Sequence, residues 1–209
     1  MSGPPLLLAI TDTRAAGEAE HLSAYRAVAA RLPPGLFAVQ LREPGRDARP
    51  SLAFARALVD DVLGPFGGEL YVNDRLDLAL ALGARGVHLG GRSVSPGDAR
   101  ALLGPGVALS RACHASGEVA RAVAEGASVA LLSPIFATPG KGPPLGLGAL
   151  REAARGPGAG ALVALGGVEA GNAAACLQAG ARGVAAVRAL LEPGSASALV
   201  AALEPFFER

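Results

Sequence analysis

Eight short apolar runs recur along the chain, each separated from the next by a stretch rich in Ala and other helix formers. The runs are Leu6–Ile10, Phe37–Leu41, Leu70–Val72, Val87–Leu89, Val107–Cys113, Val129–Ile135, Leu162–Leu165 and Val184–Leu190. Most are unbroken rather than alternately apolar and polar, which is the pattern of parallel strands buried on both faces. Between them, Leu52–Leu63, Leu76–Leu82, Ser116–Glu125 and Ala170–Ala179 are long enough for crossover helices. A small motif repeats at the ends of such stretches: Gly83-Ala84-Arg85-Gly86-Val87, Gly126-Ala127-Ser128-Val129 and Gly180-Ala181-Arg182-Gly183-Val184. A glycine there can take the left-handed conformation that ends a helix and turns the chain into the next strand. Eight such units in 209 residues fit a closed (β/α)8 barrel, a TIM barrel forming one domain over residues 1–209. An open doubly wound sheet usually has five or six strands and fits less well.

Composition narrows the function class. Lys and Arg number 19 against 18 Asp and Glu, so the chain lacks the basic excess of a nucleic-acid or membrane-surface protein. Any anion site must therefore be local. No segment approaches the ~20 apolar residues of a membrane span, and Leu6–Ile10 is too short for a signal-peptide core. The N-terminal Met1-Ser2-Gly3-Pro4-Pro5 has no basic flank, so the expectation is a soluble, cytoplasmic protein. Cys113 and Cys176 match neither a metal motif nor a disulfide framework and read as buried core thiols.

In a barrel of this kind the chemistry sits at the C-terminal ends of the strands, and polar residues gather there. They are Gln40, Arg42 and Glu43 after the second run, Asn73 and Asp74 after the third, and His88 followed by Gly90-Gly91-Arg92 at the fourth. Arg111 and His114 mark the fifth, Thr138 and Lys141 the sixth, Gly166 and Gly167 the seventh, and Arg188 the eighth. The glycine pair before a helix suits a phosphate, because backbone N–H groups can approach it and a helix N-terminus favours its charge. Arg188 could add a charged fork or serve as a salt-bridge partner in the helix layer. Asp74 is a candidate Mg²⁺ ligand, with a helix N-cap the slightly favoured alternative. His114 is a candidate acid/base. His88 reads as structural, and His21 as a surface residue of the first helix.

These motifs resemble the thiamine phosphate synthase/TenI family. The matching segments are Val39-Gln40-Leu41-Arg42-Glu43, Val72-Asn73-Asp74-Arg75-Leu76-Asp77-Leu78-Ala79, Gly86-Val87-His88-Leu89-Gly90, Ser133–Lys141, Pro144-Leu145-Gly146 and Ala164-Leu165-Gly166-Gly167-Val168. The resemblance implies the barrel and one of two activities. A synthase joins hydroxymethylpyrimidine diphosphate to thiazole phosphate with Mg²⁺ and expels pyrophosphate. A TenI-type tautomerase aromatises a thiazole carboxylate phosphate and requires no cofactor. Either would take a thiazole phosphate as its small-molecule partner; the oligomeric state is open, a homodimer included. Arg42, Asn73, Asp74 and Lys141 match the synthase pattern. Pro44 stands where its lysine is expected, Ser93 lies in the segment that replaces its second metal aspartate, and Ala112 replaces a serine. The lost aspartate and the order Arg111…His114 look TenI-like, yet Pro134 occupies the position of that branch's catalytic histidine. The expectation from sequence is therefore a TenI-like tautomerase with His114 or Glu43 moving the proton. The synthase is the alternative, and a non-catalytic phosphate-binding or regulatory barrel is the third reading.

Overall fold

A computed structural model describes residues 3–192 and 194–208; the readings that rest on Met1 and Ser2, and the outer limits of the 1–209 domain, lie outside the described residues. Eight parallel strands follow one another in chain order around a closed barrel. They are β1 (Leu7–Ile10), β2 (Phe37–Leu41), β3 (Glu69–Asn73), β4 (Gly86–Leu89), β5 (Ala108–Cys113), β6 (Val129–Leu132), β7 (Leu162–Leu165) and β8 (Gly183–Ala186). Pairing of β1 with β8, Leu7 opposite Val184, closes the ring. The main helices follow the strands in turn: α1 (Glu18–Ala29), α2 (Ala48–Leu58), α3 (Leu76–Leu82), α4 (Pro96–Leu103), α5 (Ser116–Ala124), α6 (Gly146–Ala153), α7 (Ala170–Gln178) and α8 (Ser195–Leu203). This is the (β/α)8 barrel expected from the spacing of the apolar runs.

Side chains alternate along each strand, and the alternation separates two cores. Outward residues such as Leu7, Val39, Val72, Val87, Leu109, Leu132 and Val184 pack under the helices. Inward residues, among them Leu8, Ile10, Ala38, Tyr71, Val129, Leu131, Val163 and Ala185, fill the barrel itself. Because the strands are parallel, their C-terminal ends all lie on one face, and the barrel interior below that face is closed by side chains. Cys113 and Cys176 are buried free thiols. Burial raises Cys113 to about 11 and Cys176 to about 12. Among the described residues no helix is long and apolar enough to cross a membrane.

Several local expectations need correction. The sixth run overshoots its strand: β6 stops at Leu132, and Ser133-Pro134 turns the chain away, since proline has no N–H for the ladder. The eighth overshoots too. Val187 leaves the strand conformation and Arg188–Leu190 form a short 3₁₀ turn, so Arg188 stands beyond β8 rather than in it. The helix read as Leu52–Leu63 starts earlier, at Ala48, and its end widens into a π-helical stretch over Val59–Leu63. His21 is fully buried, not a surface residue. Its Nε2 accepts a hydrogen bond from the Asp12 N–H at 3.2 Å, and its Nδ1 donates to the Gly17 carbonyl at 2.9 Å. The imidazole thereby fastens both ends of the loop from β1 to α1, with Tyr25 and Phe54 packed edge-on against it.

Candidate active site

A cavity of about 1170 Å³ opens at the C-terminal ends of the strands. Its floor is the top layer of inward side chains, including Gln40, His88 and Leu131, and its rim is built from the loops that follow the strands. The structure gathers Gln40, Arg42, Glu43, Asn73, Asp74, His114, Thr138, Lys141, Gly166, Gly167 and Arg188 around this one space. Arg111 does not join them. Its position in β5 points it outward, where it lines a separate side pocket of about 210 Å³ and donates to the Gly90 carbonyl at 2.9 Å.

Arg42 follows β2, and its backbone N–H is held by the Thr11 hydroxyl at 2.9 Å, which ties the first two loops together. Glu43 strengthens the same tie: one carboxylate oxygen accepts from both the backbone N–H and the hydroxyl of Thr13, while Oε1 is buried without a partner. A carboxylate so engaged anchors the two loops to each other. Asp12, on the same loop, is paired with Arg14 at 2.8 Å, and that hydrogen bond holds its carboxyl below the usual range.

Asp74 has φ 66°, a left-handed conformation unusual for a residue with a Cβ and costing on the order of 1 kcal/mol. Its N–H donates to the His88 carbonyl at 2.9 Å, and the chain turns sharply there into α3. The N-cap of α3 is Arg75, with no side-chain cap bond, so the capping role expected for Asp74 is not realised. Asp74 is instead an exposed carboxylate on the cavity rim. Among the described residues no three His, Cys, Asp or Glu side chains cluster as a metal site. Mg²⁺, however, takes one or two protein carboxylates and fills its shell with water and substrate phosphates. Asp74 fits a Mg²⁺ that arrives with a diphosphate; the donor set does not fit a metal held by protein alone.

The loop after β6 is pinned at its base and open at its tip. Ile135 and Phe136 donate to the Leu165 and Gly166 carbonyls, both at 2.9 Å, and Leu145 returns to Pro134 at 2.8 Å. Lys141 projects from the exposed tip, its N–H turned back to the Thr138 carbonyl at 3.1 Å. Gly166 and Gly167 pack under this loop with φ of 98° and 64°. A Cβ on Gly166 would come within 2.8 Å of Pro134, and one on Gly167 within 2.8 Å of the Ala137 carbonyl. Both glycines are therefore required by the turn itself, before any ligand is considered. Asn172 secures the turn: its Oδ1 accepts from the Glu169 N–H at 3.0 Å and its Nδ2 donates to the Gly167 carbonyl at 2.9 Å.

His114 is exposed on the rim, its Nδ1 donating to the Ser133 carbonyl at 3.0 Å, which makes Nε2 the acceptor of the neutral ring. His88 is on the floor, only 8% exposed, with Nδ1 2.9 Å from the Ser110 hydroxyl. Burial, with Arg42 and Arg111 nearby, lowers it to about 4. His88 and Asn172 line the cavity, with Ser110 buried beside His88, and the sequence singled out none of them for ligand binding. The spacing Glu169-x-x-Asn172 ahead of a helix was the available signal for Asn172.

Known proteins are similar to this chain in sequence and fold. The family model described as thiamine monophosphate synthase matches residues 7–190. A thiamine-phosphate synthase of Methanoculleus marisnigri is 38% identical, over 94% of this chain and 92% of that one. One of Albidiferax ferrireducens is 45% identical, over 78% and 75%. Among solved structures, a thiamine phosphate pyrophosphorylase from Pyrococcus furiosus superposes with a TM-score of 0.80 at 25% identity, covering 97% of this chain and 95% of that one. From the match along nearly its whole length and the shared barrel, the chain belongs to the thiamine monophosphate synthase (TMP-TENI) family and to thiamine biosynthesis.

Proposed function

We propose that this protein is a thiamine-phosphate synthase that joins hydroxymethylpyrimidine diphosphate to thiazole phosphate. The observation that carries the reading is that one cavity collects two sets of anion-handling groups. Asn73 ends β3, and Arg42, Asp74 and Lys141 come from the loops after β2, β3 and β6; the Gly166-Gly167 turn and Arg188 come from those after β7 and β8. At about 1170 Å³ the space exceeds what one small substrate needs and has room for two. The names of the relatives favour the same activity, and with it the alternative over the tautomerase expected from the sequence.

In the reaction the thiazole nitrogen forms a C–N bond to the pyrimidine methylene as the C–O bond to diphosphate breaks, the electron pair leaving with pyrophosphate. Arg42 and Lys141 meet the growing charge on the leaving group. Asp74 would hold a Mg²⁺ bound to the diphosphate, and the ion would supply further charge neutralisation. The second set holds the thiazole phosphate facing the methylene, which converts an encounter of two solutes into a positioned attack.

The tautomerase remains a second reading on one observation: His114 stands on the rim with its Nδ1 engaged by the Ser133 carbonyl, which leaves Nε2 to accept a ring proton. The test is pyrophosphate release. With both substrates and Mg²⁺, wild-type protein should release pyrophosphate, and Asp74→Asn should slow it roughly 10- to 100-fold, as for loss of a charged contact. No release with wild type, together with turnover of the thiazole carboxylate phosphate, would transfer the assignment to the tautomerase.

A further inference from the structure

We propose that Ser110 and His88 together form a fixed, uncharged hydrogen-bond donor on the cavity floor that recognises a ring nitrogen of an aromatic heterocycle. The synthase reading enters only in making that heterocycle the pyrimidine. Ser110 is 1% exposed and points into the barrel between His88 and Val129 in the strand register. With an alkyl group on one side, the acceptor within reach of its hydroxyl hydrogen is His88 Nδ1, at 2.9 Å. A buried hydroxyl hydrogen without an acceptor is costly, so the serine donates and Nδ1 accepts. The ring proton of the neutral imidazole is then on Nε2. His88 lines the main cavity, and Nε2 is not among the buried polar atoms without a partner, so it faces the open space.

The charge state follows from the same hydrogen bond: with Nδ1 accepting from Ser110, the ring keeps one proton and is neutral. A neutral donor beneath a cationic rim suits a ligand whose anionic part is held above and whose flat, nitrogen-bearing part reaches the floor. Asn73 and Gln40, also lining the cavity, offer further amide donors and acceptors to such a ring. His88 is in this view a positioning and specificity-determining group; it moves no proton.

The chain has 3 His, so imidazole nitrogens labelled with ¹⁵N can be assigned with His88→Gln and His114→Gln. His88 should be the Nε2–H tautomer, and its Nε2 signal should shift on saturation with thiamine phosphate. Ser110→Ala, which removes one oxygen and keeps the test open should His88→Gln fail to fold, should redistribute the tautomers. It should also raise KM for the pyrimidine diphosphate about tenfold while kcat changes less than about twofold. A wild-type Nδ1–H tautomer, or an unmoved His88 signal while calorimetry proves thiamine phosphate bound, overturns the proposal. Unchanged KM in Ser110→Ala does the same. If thiamine phosphate does not bind at all, it is the synthase reading that fails; thiazole phosphate is then titrated against His88, and an unmoved signal in its bound state overturns the proposal as well.

Discussion

His21, His88 and His114 carry the same ring and are held in three ways: as a buried loop fastener, a buried partner of a serine, and an exposed rim base. The buried His88 has a consequence for stability. It binds its proton near 4 in the folded protein against 6.5 unperturbed, so acid favours the unfolded chain. Its contribution is complete above about pH 6.5 and is lost as pH falls through 4, about 3 kcal/mol in all. Urea midpoints measured across that range should fall with acid in the wild type, and His88→Gln should flatten the fall; an equal slope in both contradicts the assignment. The thiols give a second check. Raised to about 11 and 12, Cys113 and Cys176 should resist a thiol reagent near pH 8 until the protein unfolds, and prompt labelling of the native state would show the burial to be wrong. At this scale the sequence was a partial guide. The cysteines, set among apolar neighbours, were legible as core. The burial of His21 was not, because its partners are backbone groups of Asp12 and Gly17, which the chain brings within reach only once the first loop closes.

The elements show why the rim was easier to foresee than its fastenings. Polar residues at strand ends are visible in a list of runs, whereas the bonds that aim them depend on how loops cross. Glu43 was weighed beside His114 as the group that moves a proton; what the loops add is that its carboxylate ties the first loop to the second through Thr13. Asp74 was weighed as a cap, and the backbone turn at that residue gives the cap position to Arg75. Asn172 joins the N-terminus of α7 to the Gly166-Gly167 turn with two hydrogen bonds. Asn172→Ala should lower stability by about 1–2 kcal/mol and Tm by a few degrees. It should also weaken thiazole phosphate binding measured by calorimetry, as the turn loosens. Full stability with unchanged affinity would separate this helix end from the phosphate site. Gly166→Ala is a poor substitute, since positive φ and the nearby Pro134 would strain the turn whatever it binds.

For the whole molecule, eight buried runs and the seven crossovers between them leave little freedom. Parallel strands joined by right-handed crossovers close on themselves, and their C-terminal ends then share one face. That geometry is what makes a distributed set of polar residues into a single cavity, and it was readable from the spacing of the runs together with the family resemblance. The choice between two reactions in one family was not, because it turns on a few positions, Pro44, Ser93, Ala112 and Pro134, that point in different directions. Only a ligand pair can say whether the surviving Arg42, Asp74 and Lys141 suffice. The most direct measurement is therefore mass-spectrometric analysis of purified protein incubated with hydroxymethylpyrimidine diphosphate, thiazole phosphate and Mg²⁺. The account predicts thiamine phosphate and pyrophosphate in equal amounts, both dependent on the second substrate. Absence of thiamine phosphate under saturating conditions, with the protein folded and thiazole phosphate bound, would contradict it.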